Sequence, residues 1–97
     1  MISGETTFEP SDDVTLTELQ NGEAVLLNLR TWKYYSLNET GVHVWKQAAD
    51  GAPLSDIATS MSEQWEVTTD EAVSAVTRLL KDLVDEKLIG ARSPEIE

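Results

Sequence analysis

The clearest pattern of hydrophobic and polar positions lies in residues 26–37, where apolar side chains recur two residues apart. Leu27 and Leu29 have this spacing, and so do Tyr35 and Leu37. Side chains two residues apart point to the same face of a β-sheet. We therefore expect two strands in this stretch, with Leu27 and Leu29 facing the core.

A third strand is predicted upstream, because residues 14–19 also alternate and are rich in β-branched residues. Asn21 and Gly22 come next, and this pair favours a hairpin because both residues tolerate a positive φ. The result is a three-stranded antiparallel meander whose third strand can remain an edge. Its predicted strands are Val14–Leu19, Ala24–Leu29 and Tyr34–Leu37.

Beyond Asn38 the apolar residues recur every three or four positions, which is the period of an amphipathic helix. The Asn38 side chain can cap the start of this helix, and Gly51 can end it in the left-handed conformation. Thr68 and Glu71 have the spacing of a capping box, which opens a later helix. We expect three helices, over residues 39–49, 53–65 and 68–86.

These elements predict an α+β fold, a three-stranded antiparallel β-meander followed by three helices, with a winged helix-turn-helix-like makeup. A chain of 97 residues has room for one such domain. We assign residues 1–13 to a mobile N-terminal arm, residues 14–90 to the domain and residues 91–97 to a polar tail. The predicted core residues are Val25, Leu27, Leu29, Val42, Trp45, Ile57, Met61, Val76, Leu80 and Leu83.

The composition argues against several classes of function. The 18 acidic and 7 basic residues give a net charge of −11, which repels nucleic acids and anionic membranes. The chain has no cysteine, and its single histidine, His43, has no partners at ligand or catalytic spacing. We therefore expect no metal, no cofactor and no enzymatic activity. The first ten residues resemble neither a signal peptide nor a membrane span, so a cytoplasmic location is expected.

Two aromatic residues, Tyr34 and Tyr35, lie side by side in the third predicted strand. Because successive strand residues point to opposite sides, the two cannot both face the same core. The outward tyrosine either covers the sheet surface or contacts a ligand along the strand edge. The sequence leaves both interpretations open.

Basic residues are concentrated near the same strand. Arg30 and Lys33 lie in a stretch without acidic residues, and Arg78 and Lys81 are three residues apart on the third helix. If strand and helix are neighbours, positive charge gathers along one groove, which would favour acidic peptides. Alternatively, Arg78 and Lys81 only form ion pairs within their own helix.

Several motifs in this sequence resemble those of the PqqD-like family, also called RiPP recognition elements. The first is Gly22-x-x-x-Leu-Leu-x-Leu29, and the second is the run from Tyr34 to Gly41, which contains a Leu-Asn-x-Thr-Gly segment. Four shorter motifs follow along the chain: Asp50-Gly51, Ile57-Ala58, Leu79-Leu80-x-x-Leu83 and Leu88-Ile89. Two departures are visible: Trp32 stands where such sequences commonly have glycine, and residues 28–31 differ from the strand associated with PQQ biosynthesis. These departures favour another pathway, such as a lasso-peptide system.

The resemblance implies a non-catalytic, chaperone-like role in natural product biosynthesis. Such modules bind the leader peptide of a ribosomally made precursor as a strand beside strand three, in the groove against helix three. They present it to a radical-SAM maturase, a cyclase or a leader protease. The peptide-binding residues implied for this chain are Trp32, Lys33, Tyr34, Tyr35, Ser36, Leu37, Ala75, Val76, Arg78, Leu79 and Lys81.

A winged-helix DNA-binding transcriptional regulator is the alternative function. Its third helix would have to supply phosphate contacts, yet only Arg78 and Lys81 are basic there. Charge therefore favours a peptide ligand over DNA.

Overall fold

The structure, a computed structural model, describes residues 3–92. Its elements are β1 (Thr7–Pro10), β2 (Val14–Glu18), β3 (Ala24–Asn28), β4 (Tyr34–Leu37), α1 (Glu39–Ala49), α2 (Leu54–Gln64), α3 (Thr69–Asp85) and β5 (Ile89–Arg92). The meander is β2-β3-β4, all antiparallel, and the three helices follow it. The predicted α+β fold class is confirmed, and the winged helix-turn-helix-like description agrees with this element order.

Residues 3–13 differ from the prediction of a mobile arm, and residues 1 and 2 of that arm lie outside the described part of the chain. Strand β1 pairs antiparallel with β5 and forms a second, two-stranded sheet, with Phe8 opposite Ala91. Phe8 is buried in the core, and so is Thr6. The prediction was wrong because a single apolar residue in a polar segment gives no periodic signal. The domain also extends to Arg92, so only residues 93–97 of the predicted tail lie outside the described part of the chain.

The buried face of β3 is the opposite of the predicted one. Ala24 and Leu26 are fully buried, whereas Val25 and Leu27 are half-buried and Leu29 is 44% exposed. Both alternating sets of this strand are apolar, so the pattern alone could not choose between them. Asn28 decides the choice, because its buried Oδ1 accepts hydrogen bonds from the N–H groups of Arg30 and Thr31 and so fixes the turn to β4.

The helices begin and end where their capping residues predict. Asn38 Oδ1 accepts the Gly41 N–H at 2.8 Å, and Gly51 has a φ of +94° just beyond α1. Thr68 and Glu71 form the predicted capping box at the start of α3. The hydrogen bonds from the Thr68 backbone N–H and side chain hold the pKa of the Glu71 carboxyl below its usual value.

The core lies between the helices and the inner face of the meander. Six of the predicted core residues, Val42, Trp45, Ile57, Val76, Leu80 and Leu83, are buried. Met61 is only half-buried at the edge of this core. The core also contains Leu37, Leu54, Leu88 and Ile89, which join the meander, α2 and β5 to the helical stripe.

The turn after α3 leads to a first prediction about stability. Lys87 has a φ of +61°, and the Leu88 N–H donates to the Leu83 carbonyl at 2.9 Å, which is the glycine-favouring helix ending known as the Schellman motif. A residue with a Cβ atom destabilises the folded state by about 1–2 kcal/mol in this left-handed conformation. Glycine avoids this strain, and the additional chain entropy that it loses on folding is a smaller cost. We expect Lys87→Gly to raise the free energy of unfolding by about 0.5–1 kcal/mol. Urea denaturation measures the change, and Lys87→Ala, which keeps the Cβ, should bring no such gain.

Candidate peptide-binding groove

The open edge of the meander is strand β4. Asn28 N–H donates to the Lys33 carbonyl at 2.9 Å, so these two residues form a hydrogen-bonded pair at the start of the β3–β4 ladder. In antiparallel strands such pairs alternate, and the backbone groups of Tyr35 and Leu37 therefore bond to β3. The N–H and C=O groups of Tyr34 and Ser36 point the other way, toward the open edge. No other strand in the described part of the chain pairs with β4.

A cavity of about 410 Å³ lies between this edge and α3. Its walls are Tyr35, Ser36 and Leu37 from β4, and Leu79 from the helix. The remaining lining residues are Leu19, Glu23, Ala24, Val25, Asn38 and Gly41. A second cavity of about 360 Å³ continues along α3 beside Asp70, Glu71, Ser74, Ala75 and Arg78. Ala75 of the second cavity lies one helical turn before Leu79 of the first, and we call the first cavity together with this neighbouring surface of α3 the groove.

One flank of α3 carries Ala75, Leu79, Asp82 and Glu86 on successive turns, because these residues are three or four positions apart. Tyr35 faces the C-terminal part of this flank. Burial, together with the negative charges of Asp82 and Glu86, raises the pKa of the Tyr35 hydroxyl above its ordinary value. The hydroxyl is therefore a hydrogen-bond donor at neutral pH, at the end of the groove opposite Arg78.

The two adjacent tyrosines point to opposite faces of β4. Tyr35 pairs with Leu26 and lies on the inner face, where it packs against the core, whereas Tyr34 is 72% exposed on the other face. Tyr34 is thus the outward tyrosine that the alternation required.

Comparison with known proteins decides the family. Residues 23–89, more than half of the chain, match coenzyme PQQ synthesis protein D (PqqD). The chain belongs to the PqqD family. No curated protein matches the sequence.

Two solved structures share the fold of this PqqD-family chain. TbiB1 in complex with the TbiA(beta) leader peptide has a TM-score of 0.78 and 21% sequence identity, and the match covers 92% of this chain and 99% of that one. Lasso peptide synthetase B1 complexed with the leader peptide has a TM-score of 0.79 and 23% identity, with coverage of 86% and 96%.

The Leu-Asn-x-Thr-Gly segment of the PqqD-family chain has a physical explanation. Asn38 Oδ1 accepts hydrogen bonds from the Gly41 N–H at 2.8 Å and from the Thr40 hydroxyl at 2.9 Å. A Cβ at Gly41 would lie 3.2 Å from that oxygen and from a Leu37 methyl group. Glycine therefore allows α1 to start immediately after β4, with Leu37 still packed in the core.

The groove brings together six of the residues predicted to bind peptide. Tyr35, Ser36, Leu37 and Leu79 line the first cavity, and Ala75 and Arg78 line the second. Trp32, Lys33 and Tyr34 lie exposed in the β3–β4 turn and at the start of β4.

Two predicted residues do not reach the groove. Val76 is fully buried in the core and lines neither cavity, so its contact with peptide stays a prediction. Lys81 is two residues beyond Leu79, which places it about 160° around the helix, on the other flank. The three-residue spacing to Arg78 puts the two cations near each other, but it does not point both at β4.

Carboxylates outnumber cations along the groove, contrary to the predicted basic character. Glu23 lines the first cavity, Glu71 lines the second, and Asp82 and Glu86 face Tyr35. Arg30 pairs instead with Asp13, at 3.0 Å, on the far side of the meander. The sequence analysis did not place Asp82 and Glu86 in the groove, although their heptad-like spacing with Ala75 and Leu79 was a signal for a shared flank.

Trp32 occupies a position whose backbone favours glycine. Its φ is +61°, in the left-handed region, and its side chain is 72% exposed. The turn therefore has the conformation that glycine adopts readily, and tryptophan takes it at a cost of about 1–2 kcal/mol. A strained and exposed aromatic residue beside a groove is a candidate for ligand contact.

The strain at Trp32 makes a prediction with opposite effects on stability and binding. We expect Trp32→Gly to raise the free energy of unfolding by about 0.5 kcal/mol, since glycine removes the strain but adds chain entropy. If the indole contacts the ligand, the same change should weaken leader-peptide binding several-fold. Thermal denaturation and a peptide titration on one protein sample measure both, and unchanged binding would remove Trp32 from the site.

His43 has a structural role. Its Nε2 atom is 2.9 Å from Ser60 Oγ, and its ring meets the Trp65 ring edge-on at 5.2 Å between centroids. These contacts join α1 to α2 and to the residue that ends it. Within residues 3–92 no group of three metal-ligating side chains is placed to hold an ion, and none of the helices there has the length and hydrophobicity of a membrane span.

Proposed function

We propose that this chain is a non-catalytic module that binds the leader segment of a ribosomally synthesised precursor peptide and presents it to a modifying enzyme. The observation that carries the proposal is the open edge of β4, whose residues Tyr35, Ser36 and Leu37 line a cavity together with Leu79 of α3. Membership of the PqqD family supports it. So does the shared fold with two proteins whose structures hold a leader peptide.

The peptide would bind as an additional strand of the meander. The free N–H and C=O groups of Tyr34 and Ser36 provide main-chain hydrogen bonds, each worth about 0.5–1.5 kcal/mol and independent of the peptide sequence. Alternate peptide side chains would then enter the cavity against Leu79 and Leu37. The main-chain hydrogen bonds and the side-chain contacts both contribute to affinity, and selectivity comes mainly from the apolar peptide side chains that fit the cavity.

The charges of the groove bear on the choice of peptide. Asp82 and Glu86 disfavour an acidic peptide residue beside Tyr35, and Arg78 disfavours a basic one at the opposite end. The structure therefore favours a neutral or basic leader residue next to Tyr35, in place of the acidic leader expected from the sequence.

This charge preference is testable with two peptides. We expect Asp82→Asn/Glu86→Gln to weaken binding of a leader with Lys beside Tyr35 by about two- to fivefold, and to strengthen binding of the matching Glu peptide. Both effects should shrink in high salt, because surface charges are screened. Calorimetric titrations at two salt concentrations measure them. Equal changes for the two peptides would show that these carboxylates do not face the ligand.

The function itself is tested by fluorescence anisotropy with labelled leader peptides of the ribosomally synthesised precursors from the same organism. We expect saturable binding of the leader, and no binding of a scrambled leader or of the precursor's core segment. Failure of the leader to bind at micromolar concentrations would reject the proposal. The likeness to lasso peptide synthetase B1 makes a lasso-type precursor the first to test, ahead of a PQQ-type one.

The partner would be a radical-SAM maturase, a cyclase or a leader protease, acting in the cytoplasm. The DNA-binding alternative has no observation in its favour. Helix α3 carries Asp70, Glu71, Asp82 and Asp85 against Arg78 and Lys81, so a DNA phosphate backbone would be repelled along most of it. A gel shift at low salt should show no retained DNA, and retention would favour the regulator.

A further inference from the structure

The face of the meander that points away from the helices is apolar, and no helix or strand within residues 3–92 covers it. We call it the outer face, and its apolar residues are Leu19, Val25, Leu27, Leu29 and Tyr34. Leu19 is 47% exposed, Leu29 44% and Tyr34 72%. Of the six large hydrophobic residues exposed in residues 3–92, these three and Trp32 belong to the meander and its turns.

The strand residues of the outer face carry no negative charge, although the chain as a whole carries a net charge of −11. Asp13 and Glu23, whose carbonyls accept from the Leu29 and Leu19 N–H groups, lie at the two ends of the face. Residues 24–38, which include β3 and β4, contain no acidic residue. The polar strand residues on the same face are Thr15, Thr17 and Ser36, all uncharged. An apolar surface whose strands carry no acidic side chain, in so acidic a protein, is the kind of patch that marks a protein interaction site.

The outer face is continuous with the peptide groove through β4. Tyr34 and Ser36 place their side chains on the outer face, and their backbone groups form the open edge. A peptide added along this edge would extend the sheet and direct every second side chain to the outer face. A protein seated there would therefore contact both the module and its bound peptide.

We propose that the outer face is the docking surface for the modifying enzyme that receives the peptide. This inference rests on the proposed function. The enzyme would bind through an apolar surface of its own, with an acidic residue opposite Lys33 at the turn end of the face. A second copy of this chain fits less well, because two molecules that each carry a net charge of −11 repel one another.

The test compares two double variants of the complete chain. Leu27→Asn/Leu29→Asn alters the outer face without touching the groove. Val67→Asn/Val73→Asn is the matched control, since both valines are 37% exposed and lie away from the meander. Each protein is titrated with the labelled leader. Each is also titrated, in the presence of saturating leader, with the enzyme that modifies the precursor of that leader. Leu29→Asn alone serves as a milder variant if the double variant unfolds.

We expect the outer-face variant to bind the leader within twofold of the wild type and to lose at least tenfold in affinity for the enzyme. The control should keep both affinities. Enzyme binding that is equal in all three proteins would overturn the docking proposal while leaving the peptide function intact. A wild type that binds no leader would instead reject the proposed function. Sedimentation that shows a wild-type dimer, lost in the outer-face variant, would reassign the face to self-association.

Discussion

Ser36→Pro should weaken leader-peptide binding by at least tenfold while the domain stays folded. Ser36 lies in the edge strand, and its N–H points to the open side, so proline removes a donor to the peptide without breaking the β3–β4 ladder. The loss includes one main-chain hydrogen bond and the clash of the proline ring with an incoming strand. Anisotropy with the labelled leader measures the affinity, and circular dichroism with a thermal scan verifies the fold.

Ser36→Ala is the matched control for this prediction. It removes the hydroxyl group but keeps the N–H, so its affinity should stay within about twofold of the wild type. Equal losses in the two variants would mean that the Ser36 side chain, not the strand edge, binds the peptide. No loss in either would mean that the peptide does not add to β4.

The helices could be predicted to within a few residues because their ends are determined locally. Asn38 and the Thr68–Glu71 pair satisfy the free N–H groups of the first turn with their own side chains. Gly51 supplies the left-handed residue after α1. Each signal lies within four residues of the boundary that it sets, so the sequence alone contains it.

The buried face of β3 could not be predicted, because it depends on contacts between distant residues. Val25 and Leu27 are as hydrophobic as Ala24 and Leu26, and only the pairing of Leu26 with Tyr35 and the burial of Asn28 settle the choice. The pairing of β1 with β5 is a longer-range case, joining residues about eighty positions apart. Periodicity within one segment carries no information on either.

The candidate site was predictable in part. The resemblance identified β4 and α3 as its walls, and the alternation of Tyr34 and Tyr35 required one tyrosine to face outward. The charge of the groove was not predictable, since it depends on which flank of α3 turns toward β4. That flank carries Leu79, Asp82 and Glu86, and it leaves Lys81 on the other side.

Two adjacent leucines of α3 provide the second large prediction, because one belongs to the core and the other to the groove. Leu80 is fully buried among the helices, and Leu79 is half-buried and lines the cavity beside Tyr35. We expect Leu80→Ala to lower the free energy of unfolding by about 2–5 kcal/mol, through lost burial and the cavity that remains. Urea denaturation measures this loss.

Leu79→Ala should act mainly on the ligand. The substitution removes side-chain atoms from a groove surface that is already open to solvent, so we expect a loss of stability less than half of that in Leu80→Ala. We also expect leader binding to weaken by about tenfold, because an apolar contact with the peptide is removed. Binding is measured below the melting temperature of each variant, so that only folded protein is compared. Leu80→Ala, once folded, should bind the leader nearly as well as the wild type. If Leu80→Ala lost less than about 0.5 kcal/mol of stability, or if Leu79→Ala bound the leader normally, the assignment of these two faces of α3 would be wrong.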